Sequence, residues 1–118
     1  MKIFNTTRKT IIADKAVTAD SFLKRMVGLL DRKELNPGEG LIITHCQSIH
    51  MVFMRFSIDV IFVGKENKVV GVVYKIEPYR FSPVFWKASY AIELPPQTIQ
   101  KSQTQLGDFI QTINASVL

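Results

Sequence analysis

The chain has 118 residues, 47% of them hydrophobic, and fifteen Lys and Arg against ten Asp and Glu give it a formal charge of +5. That length fits a single domain over residues 1–118 and excludes two of ordinary size. The charge permits contacts with anions, but its scatter along the chain falls short of defining a nucleic-acid-binding protein.

The first elements in chain order are two short strands, Lys2–Asn5 and Thr10–Ala16, joined by a hairpin turn at Asn5-Thr6-Thr7. A helix is expected from Thr18 to about Leu30. Thr18 can cap it and Asp20 favours its positive end. Phe22, Met26 and Leu29 follow helical spacing, and Lys24 and Arg25 mark the opposite, solvated side. Asn36-Pro37-Gly38-Glu39-Gly40 is a turn that feeds the strand Leu41–Thr44. It lacks the spacing of a phosphate-binding loop.

Ser57–Val63 is the clearest strand. Ile58, Val60 and Phe62 face one way and Asp59, Ile61 and Val63 the other. Both sets are largely apolar, so the strand is expected to be covered on both faces. Gly64–Asn67 turns it into a hairpin with Lys68–Lys75, where Gly71 marks a bulge, bend or close crossing. Pro78 and Pro83 then break the pattern in a stretch rich in aromatics: Tyr79, Phe81, Phe85 and Trp86. A covered loop or satellite core is favoured there over a stacking platform. Ser89–Leu94 resumes as a strand and stops at Pro95-Pro96, with a short helix at Thr98–Gln103 and a last extended stretch at Phe109–Ile113. The fold class expected from this order is α+β: a mixed or largely antiparallel, strongly curled sheet, barrel-like if it closes, with one main packed helix.

The segment from His45 to Val63 gathers both histidines, the only cysteine, Arg55 and Asp59 among apolar residues. A buried carboxylate in such a run needs a partner or a backbone setting that satisfies it. His45, Cys46, His50 and Asp59 are potential metal ligands, but their spacing matches no strong zinc pattern, so no metal and no cofactor are expected. A Cys46–His50 nucleophilic pair would be about 13 Å apart on a straight strand, too far for proton transfer. Asp59 accepting backbone hydrogen bonds is favoured over Asp59 in acid–base catalysis, and Arg55 or Arg80 could pair with it.

SIHMVFMRFSIDVIFV resembles the central motif of a widespread prokaryotic family known as domain of unknown function 192. The matching residues are Ser48, Ile49, His50, Phe53, Met54, Ile58, Asp59, Val60 and Phe62. Gly28-Leu29, Arg32, Leu35 and Gly40-Leu41 resemble the family's upstream segment, and Glu93-Leu94-Pro95 and Gly107-Asp108 its closing motifs. The resemblance spans about residues 16–113 and implies a compact α+β fold with a curled sheet, without an enzymatic class. Met51 stands where the family commonly has Thr, and Gln97 where it often has Gly.

These observations favour a non-catalytic accessory domain that binds a small ligand or a protein. The residues expected to bind or to organise the site are His50, Arg55, Asp59, Arg80 and Trp86. The alternatives are a small enzyme acting on a carbohydrate or cell-wall-like substrate, and a nucleic-acid-binding domain. A single Cys46 permits no intrachain disulfide, the opening MKIFNTTRKT lacks a signal peptide's apolar core, and no run approaches roughly 18 uninterrupted apolar residues. A cytoplasmic location without a membrane span is therefore expected.

Overall fold

The computed structural model describes residues 1–19, 34–51 and 54–114. The described strands are β1 (Lys2–Asn5), β2 (Thr10–Ala13), β3 (Lys15–Ala19), β4 (Glu39–Thr44), β5 (Ile58–Val63), β6 (Val69–Ile76), β7 (Tyr90–Leu94) and β8 (Ile110–Ile113). The short helix α1 spans Thr98–Ser102. The strands form two open sheets. One has the order β2-β1-β8, and the other the order β3-β4-β7-β5-β6. β3 runs parallel to β4, and the remaining neighbours are antiparallel.

All six residues of β5 are buried, as its doubly apolar alternation requires. Ile61 and Val63 join Ile42, Ile92 and Leu94 on one face, where Ile3, Ile12 and Ile110 of the smaller sheet and Ile99 of α1 cover them. Val60 and Phe62 join Leu41, Ile43 and Ala91 on the other face, under Leu35, Ile49, Met51, Met54 and Phe56. The five-stranded sheet is thus the middle layer. Two separate cores lie on its faces.

The expected strongly curled or barrel-like sheet is not present: neither described sheet is closed or strongly curled. The cause lies at Asp14. The Gly38 carbonyl accepts both the Asp14 and Lys15 amides, at 3.0 and 2.9 Å, and breaks the expected strand Thr10–Ala16 in two. β2 stays with β1 in the small sheet, whereas β3 pairs along β4 in the large one. Gly38 itself sits at φ +86, which explains a glycine in that turn.

The expected main helix, Thr18 to Leu30, falls mostly on residues outside those described, but Thr18 and Ala19 are the last residues of β3 rather than a helix start. Among the described residues no helix is long and apolar enough to cross a membrane.

Candidate functional site

Asp59 is buried in β5 and satisfied entirely by backbone donors. Its Oδ1 accepts the Lys75 amide at 2.8 Å and its Oδ2 the Ile99 amide at 3.0 Å. Lys75 has φ 45 and lies where the β5–β6 register shifts, so one oxygen secures a bulge. The other secures α1 against the sheet. Asp59 therefore links two elements, and its side chain projects to the face that carries Ile61 and Val63. Glu93 is also fully buried, but it pairs across the ladder with Val60 and so lies on the opposite face. These two carboxylates do not form an acid–base pair.

His50 belongs to a different construction. The segment 47–51 lies antiparallel to 79–86, through a bridge between His50 and Phe81. The Met51 amide donates to the Arg80 carbonyl, and the amides of Tyr79, Ser82 and Phe85 donate to the carbonyls of Met51, Ile49 and Gln47, all at 2.8–2.9 Å. The Ser82 hydroxyl accepts the Ile49 amide at 2.8 Å, and the Gln47 side-chain amide donates to the Trp86 carbonyl at 2.9 Å. The loop after β6 is thereby fixed as firmly as a strand pair.

Phe85 turns inward, with its ring 4.5 Å from that of Phe62. It lies so close over Gly71 that a Cβ there would collide with the ring. Of the bulge, bend or close crossing expected at Gly71, the crossing is made by an aromatic ring, and the β5–β6 register also shifts beside it, between Phe62 and Val63. The remaining aromatics turn outward: Tyr79, Phe81 and Trp86 are 63%, 72% and 77% exposed. The satellite-core expectation holds for Phe85 and fails for these three, because the inward positions of the loop are taken by Ser82, Phe85 and Ala88. His50 lies beside Phe81, ring centroids 6.1 Å apart. Arg80 and Lys87, interleaved with the aromatics, are exposed.

A groove of about 600 Å³ opens where β4 ends and β7 begins, lined by Thr44, His45, Gln47, Ala88, Ser89 and Tyr90. Thr44 and Tyr90 are ladder partners, and the Ser89 amide donates to the Val63 carbonyl at 2.8 Å. His45 leaves the sheet at φ 53, a conformation that costs a non-glycine residue about 1 kcal/mol or more. Burial pushes the Tyr90 phenol up to about 12, and its hydroxyl bonds the Asn67 Oδ1 at 3.0 Å.

A buried polar network joins the two ends of the described fold. Asn5 donates to Thr104 Oγ1 at 3.1 Å and to Asp108 Oδ2 at 2.9 Å. The same Asp108 oxygen accepts the Gln105 amide at 2.9 Å and Arg8 Nε at 3.1 Å, and the hydroxyls of Ser102 and Thr104 are 2.7 Å apart. Burial pushes the Asp108 carboxyl up, but hydrogen bonds from Asn5 and the Gln105 amide, with the Arg8 guanidinium, outweigh it and hold the group below its usual value.

The five residues singled out in the sequence do not converge. His50, Arg80 and Trp86 are on the paired loops, Arg55 is exposed, and the Asp59 oxygens are engaged with α1 and β6 on the other face of the sheet. Cys46 is half-buried, with Sγ 3.1 Å from the Ser48 carbonyl. Among the described residues no three His, Cys, Asp or Glu side chains gather as a metal site. Sequence reasoning missed the groove and the role of Asn5. Gln47 and Ser89 are ordinary polar residues far apart in the chain, and Asn5 reads as a turn residue until its partners, 99 and 103 positions away, are in place.

Comparison with known proteins agrees with this architecture. The chain is 32% identical over 115 residues to a UPF0127 protein of Pyrococcus furiosus, covering 92% of this chain and 96% of that one. It is 33% identical over 112 residues to a UPF0127 protein of Thermococcus sibiricus, covering 92% and 72%. A crystal structure of a protein of unknown function from Novosphingobium aromaticivorans superposes with a TM-score of 0.78 at 20% identity, over 94% of this chain and 82% of that one. The family model for DUF192, Uncharacterized ACR, matches residues 3–112, reaching further toward the first strand than the motifs alone. Asp59 and Asp108, the acidic residues of two of those motifs, each hold backbone amides. The chain belongs to the DUF192 family.

Proposed function

We propose that this chain is a non-catalytic binding domain that docks a protein partner on the ridge formed by Tyr79, Phe81 and Trp86. The observation that carries the reading is the exposure of three aromatic side chains on a loop whose backbone is pinned by hydrogen bonds. Large aromatics held rigidly in water are the side chains that dominate protein interfaces, because they bury much area at little entropic cost. His50 and Arg80 belong to this surface as flanking polar groups, and Asp59 organises the elements behind it. Arg55 is an exposed cation that a partner can reach.

The test is capture of partners from source cells by wild type and by the double variant Phe81→Ala/Trp86→Ala, followed by measurement with the purified partner. A loss of tenfold or more in affinity, about 1.4 kcal/mol, with an unchanged Tm supports the ridge. Equal affinity would count against it.

The same exposed rings, with Arg80 and Lys87 between and beside them, also favour a second reading, stacking on single-stranded nucleic acid. Titration with single-stranded RNA and DNA at low and moderate salt distinguishes the two, since a nucleic-acid complex weakens steeply with salt. No complex at low salt removes the second reading.

A further inference from the structure

We infer that the groove between the end of β4 and the start of β7 is a binding site for a neutral sugar, separate from the aromatic ridge. Its volume of about 600 Å³ lies within the usual range for small-molecule sites, roughly 300–1,000 Å³. The chemistry of its walls selects the class of ligand. None of the lining residues is a Lys, Arg, Asp or Glu, and His45 and Tyr90 are the only ionisable side chains among them, so the walls offer no permanent charge to pair with an ionic ligand.

What the walls present instead is hydroxyl and amide. The Thr44 and Ser89 hydroxyls each donate and accept. The Gln47 amide gives one N–H to the Trp86 carbonyl and retains its other N–H and its carbonyl oxygen. Those are the complements of a ligand whose own hydroxyls donate and accept at once. The ring of Tyr90 and the methyl of Ala88 add an apolar wall suited to the C–H face of a sugar ring.

The groove is also held in shape before any ligand arrives. Thr44 and Tyr90 are paired in the sheet, Ser89 is tied to the Val63 carbonyl, and Gln47 is tied at both backbone and side chain to the 85–86 loop. A site whose backbone and Gln47 side chain are already held loses little in ordering them, which is what a weakly hydrophobic, heavily hydrated ligand requires.

Amide NMR of the full chain, titrated with glucose, galactose and N-acetylglucosamine, tests the assignment, with glucose 6-phosphate and glucosamine as charged comparators. The expected result is saturable shifts at Thr44–Gln47 and Ala88–Tyr90 with at least one neutral sugar, and weaker binding of both charged comparators. Ser89→Ala, which leaves the Gln47–Trp86 contact in place, and Gln47→Ala are each expected to raise Kd about fivefold or more, the loss of one hydrogen bond. Absence of shifts in these amides with every neutral sugar would overturn the inference. So would tighter binding of a charged comparator, or wild-type affinity in a Ser89→Ala variant with a native spectrum. The sugar titrations and Ser89→Ala leave the ridge residues untouched, whereas Gln47→Ala also removes the bond to the Trp86 carbonyl, so Ser89→Ala is the variant that separates this site from the protein-docking ridge.

Discussion

At the scale of single residues, two of the acidic motif positions, Asp59 and Asp108, hold backbone amides. Asp59 accepts two N–H bonds and has no need of a basic partner. Asp59→Asn keeps the shape but turns an NH2 toward one of those donors. Denaturant titration is expected to show a loss of about 2–3 kcal/mol, the cost of a buried amide left unsatisfied together with a lost charged bond. Wild-type stability in that variant would show that the two bonds carry no weight. Asp108 gives a pH signature. Its folded value is depressed, so its contribution is fully present above the ordinary Asp range near about 4 and is lost as pH falls through the folded value. Stability measured across the acid range should therefore fall more steeply for wild type than for Asp108→Asn, which lacks the titrating group. Gln97 occupies φ +74 just before α1, a left-handed conformation that favours glycine. Gln97→Gly is expected to be neutral or to stabilise by up to about 1 kcal/mol, and Gln97→Val to destabilise by about 1–2 kcal/mol, both readable as shifts in Tm.

At the scale of elements, the β5–β6 hairpin and the loop that closes over it behave as one unit. Phe85 bridges them, touching Phe62 from β5 and lying on Gly71 of β6. Gly71→Ala must push that ring away and is expected to cost about 1–3 kcal/mol. In a double-mutant cycle, Phe85→Leu should relieve part of that cost, whereas additive losses would mean the two do not meet. By contrast Trp86→Ala, one residue further on, should change stability by no more than about 0.5 kcal/mol. The hairpin was legible in the sequence because its two faces alternate within a few residues and its polar turn lies between them. The split between β2 and β3 was not. Asp14 and Lys15 look like the outer end of one strand, and the carbonyl that separates them belongs to Gly38, beyond any local pattern. The site divided in the same way. That Asp59 needs backbone donors follows from a carboxylate in an apolar run, but the donors, Lys75 and Ile99, come from two later elements. Counting aromatics between Tyr79 and Trp86 gives their number, and only the pairing with 47–51 decides that Phe85 alone turns inward.

At the scale of the whole molecule, the fold is closed by contacts between its two ends. β1 lies between β2 and β8, and Lys2 is the register partner of Ile113. Asn5 and Arg8 complete the network around Asp108. Removing residues 110–113 is expected to expose Ile3 and an open edge of β1, with a large drop in Tm and a tendency to aggregate measurable by light scattering. The order of these contacts also constrains how the protein is made. During synthesis β1 is made before the other described strands, and β2 is the first of its two partners to follow. Its other flank has no partner until β8, Thr104 and Asp108 are made, and the last two follow Asn5 by 99 and 103 positions. The growing chain therefore carries an unpaired strand edge while everything between β2 and β8 is made. Holding that edge apart from neighbouring chains is a task for whatever meets the nascent chain first, and slow elongation lengthens the exposure.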